Sequence, residues 1–496
     1  MIKNKKLVIL ILILSALTHF AFFGHPNQTV FDEVHFGKFI SGYFTGQYFF
    51  DIHPPLGKLL ISGIGYLSNF QPGFSFANIG ETFPDQHYLW LRLLPTLAGT
   101  LLPLVIFLLA LELGFSSRAS LLAGLFIIFE NALNIQSRFI LLDSFLLLFG
   151  FSALLFYLKY HRSDQVIHMQ GLALQRYKPK FLILSGLMAG LAASVKWTGL
   201  AFLALILVFE LVRLSKSAIH PPENSRARAT TERERGSGEP SRANPGSKVG
   251  RMADLLKSMC FAFLGLIFIP LVIYTSIFAL HFSLLPKSGP GDAFMSPEFQ
   301  KTLAGNMHQN NPEIKPLRFV EKFKELNKQM YQSNERITNQ HPYGSKWYTW
   351  PFLSRTVYFW QKDVGPQPEK IYLLGNPLIW WAGTVSVIFL LICTVQNLLN
   401  RKWPNFTESF LLLGFFINLL PFIGIKRVMF LYHYFPSLIF AFLTLAYLTD
   451  KSQKKGLFAF LVLISVVGFL YFSPFTYGLP LSPETQKYLF WFSNWR

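Results

Sequence analysis

An all-α bundle of about eleven membrane-spanning helices is the fold this sequence predicts, and three observations predict it. Of the 496 residues, 51% are hydrophobic and only 14% are charged, where a soluble protein carries about 25% charged residues; the mean hydropathy is +0.35. Several apolar runs approach the roughly 20 residues that cross a bilayer as helix. Basic residues gather in the short segments between those runs, as in loops kept on the cytoplasmic side. Helices are required because unpaired backbone cannot face lipid.

The first run, residues 7–23, follows the basic start "MIKNKK". It resembles a secretory signal, but it is long and no small-x-small cleavage site follows, so it is expected to remain as a first span with its basic end in the cytoplasm. Further spans are expected at 88–112, 119–136, 139–158, 181–196, 198–213, 258–281, 372–397, 408–425, 428–448 and 456–473. The inner loops then include "KYHRSDQVIHMQGLALQRYKPK", "NRKW" and "DKSQKK", each basic or near neutral, whereas outer segments 24–87 and 282–371 hold half of the Asp and Glu. Residues 214–257 are rich in Arg, Glu, Ser, Gly and Pro and cannot bury a core. They read as a disordered cytoplasmic linker between a membrane module at 1–213 and another at 258–496. Within 282–371, periodicity around Phe319 to Tyr331 predicts a surface helix, and "HPYGSKWYTWPFLSR" predicts an aromatic loop at the interface.

The formal net charge of +19 does not point to nucleic acid, because no basic face interleaved with stacking aromatics is present. Cys260 and Cys393 lie in apolar runs and read as small buried hydrophobes. No internal repeat is evident, which argues against a transporter of duplicated halves, and a transporter would also need charges along a path through the bilayer. Apart from Glu130 and Glu210, the span interiors are nearly uncharged.

Charges beside membrane segments are functional candidates. Asp32, Glu33, His35, Asp51, His53 and Lys58 fall in the first outer segment, and Arg92 opens the second span. Arg138 and Asp143 lie between the third and fourth spans, Lys196 closes the fifth, and Lys426, Arg427 and His433 begin the tenth. In this topology all of them face one outer edge. Cations there can hold a phosphate, arginine doing so bidentately, and a carboxylate can take the proton of an attacking hydroxyl. There is no Asp-x-Asp, Walker loop, HExxH or Rossmann glycine pattern. The residues therefore favour a membrane transferase using an activated lipid, and they suggest no metal site.

Six blocks, "FDEVHFGKF", "DIHPPLGK", "SRFILLDS", "HPYGSKWYTWP", "GNPLIWW" and "FLYHYFP", are similar, in content and order, to the motifs of the protein O-mannosyltransferase family. The resemblance implies a GT-C type glycosyltransferase bundle. It further implies inverting transfer of mannose from polyprenyl-phosphate mannose to Ser or Thr of exported proteins, at the extracytoplasmic face of the cell membrane. By the same resemblance Asp32 is the general base and Glu33 its orienter or an acceptor contact, with the reverse division left open. Arg138, oriented by Asp143, would stand near the donor; His53, Lys58, Arg92, Arg427 and His433 would hold the donor phosphate. His35, Asp51, Asp143, Trp347 and Trp350 would line the cavity or meet the acceptor, the tryptophans competing with an interface-belt role. The lipid-linked donor is a substrate; no cofactor is implied. One departure concerns the β-trefoil MIR domain that fungal and animal members carry between the seventh and eighth spans. Here only segment 282–371 stands at that place, as in bacterial members. A sibling GT-C transferase moving aminoarabinose onto lipid A is the alternative, and the "HPYGSKWYTWP" block favours the protein mannosyltransferase. Oligomeric state is left open.

Overall fold

The computed structural model describes residues 4–170, 179–219, 248–336, 340–363 and 365–496. Each of the eleven apolar runs falls on a helix, but length separates them. Among the described residues, eight helices are long and apolar enough to cross a membrane: Tyr88–Glu112, Asp143–Arg162, Trp197–Lys216, Leu255–Leu284, Pro377–Leu399, Phe406–Gly424, Leu431–Ser452 and Lys455–Tyr477. A ninth is the pair Ser117–Ile128 and Asn131–Ser137, bent by 61°. The remaining two, Lys5–Phe20 and Pro179–Val195, have 16 and 17 residues, short of the roughly 20 that a bilayer asks of a straight helix. The expected count of eleven is therefore not established by length alone.

Local chemistry explains the break in the bent pair. Glu130 stands extended at φ −97°, and its carboxylate accepts the Ala132 N–H that caps the second helix. Its other oxygen accepts the Asn376 N–H at 3.0 Å, tying the break to the start of the Pro377–Leu399 helix. Close crossings elsewhere rely on small residues. A Cβ on Gly186 would lie 1.6 Å from the Gly265 carbonyl oxygen, so the Pro179–Val195 helix meets the Leu255–Leu284 helix backbone to backbone.

Polar contacts sort into two ends of the bundle. At one, Ser117 bonds Asn4, Ser116 bonds Asp450 and Thr407 bonds the Leu113 carbonyl; Lys5, Lys6, Arg118, Lys402, Lys451, Lys454 and Lys455 stand in or beside these segments. The opposite end carries segments 21–87 and 285–376. The first folds into two helices, Glu33–Thr45 and Leu56–Leu67. The second contains the expected helix, Phe319–Arg336, anchored by Asn327 on Tyr274 and Glu325 on Ser296. It also holds an antiparallel hairpin that the interface-loop expectation missed: β1, Val357–Lys362, pairs with β2, Glu369–Leu373, with Val357 opposite Leu373 and a bulge between Tyr358 and Trp360.

The cysteine expectation is corrected: Cys260 is exposed and Cys393 partly so. Most of the expected linker, 220–247, lies outside the described residues; its flanks are helical, in Leu200–Ile219 and Lys248–Phe263.

Candidate active site

The Glu33–Thr45 helix begins where the chain turns sharply. Phe31 sits at φ +46°, an unfavourable conformation for a bulky residue. Three contacts hold it there. Its N–H donates to the Phe359 carbonyl of β1 at 3.0 Å, its ring stacks on Phe359 with centroids 4.3 Å apart, and Tyr432 meets its edge. The hairpin thus fixes the residue before Asp32.

The two acids that follow part company. Glu33 is fully buried and forms a bidentate pair with Arg92, Nε to Oε1 at 2.8 Å and Nη2 to Oε2 at 2.7 Å. It also accepts the N–H groups of Val30 and Ile140, each at 2.9 Å. Arg92, itself fully buried, donates further to the Gly24, Pro26 and Gln28 carbonyls and lies 4.9 Å from the Phe139 ring. Asp32 makes no side-chain cap to its helix, and among the described residues nothing donates a hydrogen bond to its carboxylate. Burial, with lesser repulsion from Asp143 and Asp51, pushes it up to about 6, against the pull of His35 and Lys196. A carboxylate of raised pKa with no hydrogen-bond donor on it is able to act as a general base.

Beside it opens a cavity of about 530 Å³ lined by His53, Asp143, Lys196, Trp197, Asn334, Glu335, Lys426, Arg427, Tyr432 and His433, with apolar walls from Leu146, Phe422 and Ile425. Asp32 acts electrostatically on both Arg427 and Tyr432 of this wall. Lys196 stands extended between two helices and donates to both oxygens of Asp143, at 2.8 and 2.9 Å, over the Tyr432 ring at 5.3 Å. Gln136 donates to the same Asp143 at 2.7 Å. His433 lies between the Tyr432 and Trp350 rings, 4.7 and 5.9 Å away. Its Nδ1 is taken up by Phe430 backbone, which leaves Nε2 for the cavity. Burial and the positive charges of Lys196, Arg427 and Lys58 hold the His53 imidazole well below its usual range.

Several expected site residues are placed elsewhere. Arg138 does not reach the cavity: its terminal nitrogens donate to the carbonyls of His19, Ala21 and Phe22, ending the first helix, and its plane lies 4.7 Å from Tyr477. Asp143 consequently orients Lys196 and not Arg138. Arg92 is fully engaged by Glu33 and backbone, and Arg138 spends its terminal nitrogens on the end of the first helix, its Nε buried without a partner, so neither turns a free guanidinium end to the cavity. Lys58 is buried under the "DIHPP" turn, paired with Asp51 and donating to the His53 and Pro54 carbonyls at 2.9 and 3.2 Å; both shape the turn that presents His53. Trp350 is buried behind His433, with its Nε1–H on Ser345. Trp347 is partly buried against Tyr348, and His35 is exposed next to Asp32. Tyr432, Gln136 and Asn334 join the site without having been expected there, and none of them carries a charge that a sequence can advertise; Lys196, expected at the same outer edge, joins it through Asp143. Among the described residues, no group of three or more His, Cys, Asp or Glu side chains could hold a metal ion.

The placement of Arg138 makes a first prediction. Arg138→Ala should destabilise the protein by about 1–3 kcal/mol, through the stranded carbonyls, and leave the donor KM of the folded fraction within about twofold of wild type. Thermal unfolding and donor titration of one preparation check both; a donor KM raised tenfold at unchanged stability would return Arg138 to the donor.

Comparison with known proteins identifies the fold and the family. The family model for dolichyl-phosphate-mannose–protein mannosyltransferase matches residues 9–286, and that for the C-terminal four-span region of protein O-mannosyltransferase matches 319–495. Protein O-mannosyl-transferase 2 of Danio rerio is 33% identical over 307 residues, 61% of this chain and 35% of its own length. Dolichyl-phosphate-mannose–protein mannosyltransferase 1 of Saccharomyces cerevisiae is 22% identical over 727 aligned positions, all of this chain and 83% of the relative. The chain thus spans about a third of the fish relative. The solved S. cerevisiae protein O-mannosyltransferase Pmt1-Pmt2 complex bound to the sugar donor superposes at a TM-score of 0.85 with 22% identity, covering 100% of this chain and 93% of that one. The fold is therefore the GT-C glycosyltransferase fold, in a multi-pass membrane protein. With one family model covering more than half of the sequence and a second most of the rest, the chain belongs to the dolichyl-phosphate-mannose–protein mannosyltransferase family.

Proposed function

We propose that this protein transfers mannose from a polyprenyl-phosphate mannose to a Ser or Thr hydroxyl of an exported protein, at the extracytoplasmic end of the bundle. The observation that carries the reading is the unpaired Asp32 carboxylate beside a cavity holding Lys196, Arg427, His53 and His433. Asp32 takes the proton of the acceptor hydroxyl as its oxygen bonds to the sugar C1. The C1–O bond to phosphate breaks with its electron pair on the phosphate, and one displacement inverts the configuration. Arg427, Lys196 and Lys426 stabilise the charge developing on the leaving phosphate, in a setting where such charge-assisted bonds are strongest. The apolar walls suit the first isoprene units of the carrier. Asp143 holds Lys196 and keeps the cavity from being excessively positive when no donor is bound.

Orientation rests on charge. The end opposite the cavity carries the lysine-rich turns around 402 and 451–455, and such loops stay in the cytoplasm. The cavity then opens on the other face of the plasma membrane.

Arg427→Ala should raise the donor KM by about tenfold, the value of one charge-assisted phosphate contact, and leave the acceptor KM little changed. The decisive experiment incubates membranes containing the protein with labelled polyprenyl-phosphate mannose and a Ser/Thr-rich peptide. Label on the peptide supports the reading; label on a lipid acceptor alone would replace it with a lipid-modifying transferase.

A further inference from the structure

One neutral side chain joins two parts of the cavity that share no secondary structure. Asn334 stands in the last turn of the Phe319–Arg336 helix and lines the cavity. Its Oδ1 accepts from Nη1 of Arg427. Its Nδ2 donates to the Ile52 carbonyl at 3.0 Å, one residue before His53, and to the Met330 carbonyl of its own helix at 2.9 Å. The amide therefore has both ends occupied: one on the cation, one on the turn that carries His53.

The helix that presents Asn334 is itself pinned. Tyr274 of the Leu255–Leu284 span donates to Asn327 at 2.6 Å and accepts from the indole N–H of Trp197 at 2.8 Å, and Trp197 follows Lys196 in the cavity wall. Lys322, at the other end of the helix, is wedged 4.7 Å from both the Phe282 and Phe299 rings. Displacement of this helix would thus act on Arg427 and the His53 turn together.

Chemistry explains why an amide is needed there. Arg427 bonded to a carboxylate would be an ion pair, neutralised before any phosphate arrived. Arg427 left without a partner would sample many rotamers, at the entropic cost a long side chain carries. An amide oxygen fixes the guanidinium and leaves its full charge. The amide can also donate, from the same side chain, to the Ile52 carbonyl, which a carboxylate would repel.

We propose that Asn334 is a positioning residue for the donor phosphate: it aims Arg427 without neutralising it and holds Arg427 and the His53 turn at a fixed separation. This rests on the reading of the cavity as the donor site, and the tests separate the two ideas. Asn334→Asp is the discriminating variant, because it keeps shape and changes only charge and donor capacity. In the full-length protein in detergent or proteoliposomes, it should raise the donor KM by at least about tenfold, leave the acceptor KM within about twofold, and lower kcat less than the donor KM rises. Asn334→Ala frees both partners and should raise the donor KM and lower kcat as well.

Binding is read independently of transfer, as the rise in Tm that dolichyl phosphate gives the wild type. Asn334→Asp should lose most of that rise while its ligand-free Tm stays close to wild type. Wild-type donor KM and a full dolichyl phosphate response in Asn334→Asp would overturn the proposal, as would a lower ligand-free Tm with donor KM and response unchanged, the signature of a purely structural residue. A wild type that neither transfers mannose nor responds to dolichyl phosphate would instead remove the donor site, and this inference with it. Should Asn334→Asp fail to fold, Asn334→Ser decides: it keeps an acceptor for Arg427 but cannot span to Ile52, and the proposal requires its donor KM to lie between wild type and Asn334→Ala.

Discussion

Asp32→Asn should fold, insert and lose mannosyl transfer by about 10² to 10⁴, the range that a positioned general base contributes. The amide has the shape of the carboxylate, so the cavity and the turn on Phe31 survive. What disappears is the proton acceptor. Stability should move the opposite way from activity. Burial and the repulsion of Asp143 and Asp51 raise Asp32 to about 6, so the native state binds its proton more tightly than the unfolded chain, and ionisation at neutral pH destabilises the fold. The neutral asparagine removes that penalty, and its Tm at pH 7 should equal or exceed the wild-type value. The Tm difference should shrink as pH falls from about 6 towards the unfolded value of 3.8 and vanish only below it, where residue 32 is uncharged in both the native and the unfolded chain. Wild-type transfer should climb as pH rises through about 6, where the base loses its proton. Purified Asp32→Asn that transfers mannose at near wild-type rates would end the assignment.

Glu33→Gln, one residue on, should do something different: it should cost the protein its folded state. The substitution leaves the Arg92 guanidinium buried with no counter-charge, and breaking such a pair costs about 3–5 kcal/mol, a large part of the about 5–15 kcal/mol that typically holds a domain together. It also weakens the acceptor for the Val30 and Ile140 N–H groups. Expression of monodisperse protein in detergent should fall several-fold, and the surviving fraction should melt earlier. Arg92→Met should behave alike, since it strands the carboxylate. A well-folded but inactive Glu33→Gln with unaltered Tm would instead place Glu33 in the chemistry.

These two residues also show what a sequence can reveal. Their pairing in "FDEVHFGKF" marks a charged locus beside a membrane segment, and the expectation that charges from distant segments meet at one end is matched by the meeting of Asp32, Asp143, Lys196, Arg427 and His433. The division of labour was not legible, because adjacent residues at a helix start point in different directions and only packing decides which one is buried. Arg138 shows the same limit from the other side. Its role is to satisfy the carbonyls that end a helix 116 to 119 residues earlier, and open carbonyls leave no mark in composition. Asn334 and Gln136 are uncharged, so a search for ionisable groups passes over them. The spans were legible since hydropathy is a sum over twenty residues, while the bend at Glu130 depends on one side chain. The hairpin did leave a trace, in the aromatic and β-branched run "VYFWQK" followed by "EKIYL", which lies just beyond the aromatic loop expected at the interface.

The Glu33–Arg92 pair has a bearing on how the protein is made. Glu33 is synthesised before Arg92, and the two are buried only as a pair. Neither charge can leave water without the other, so the segment carrying Glu33 and the helix carrying Arg92 have to close on each other in a single step.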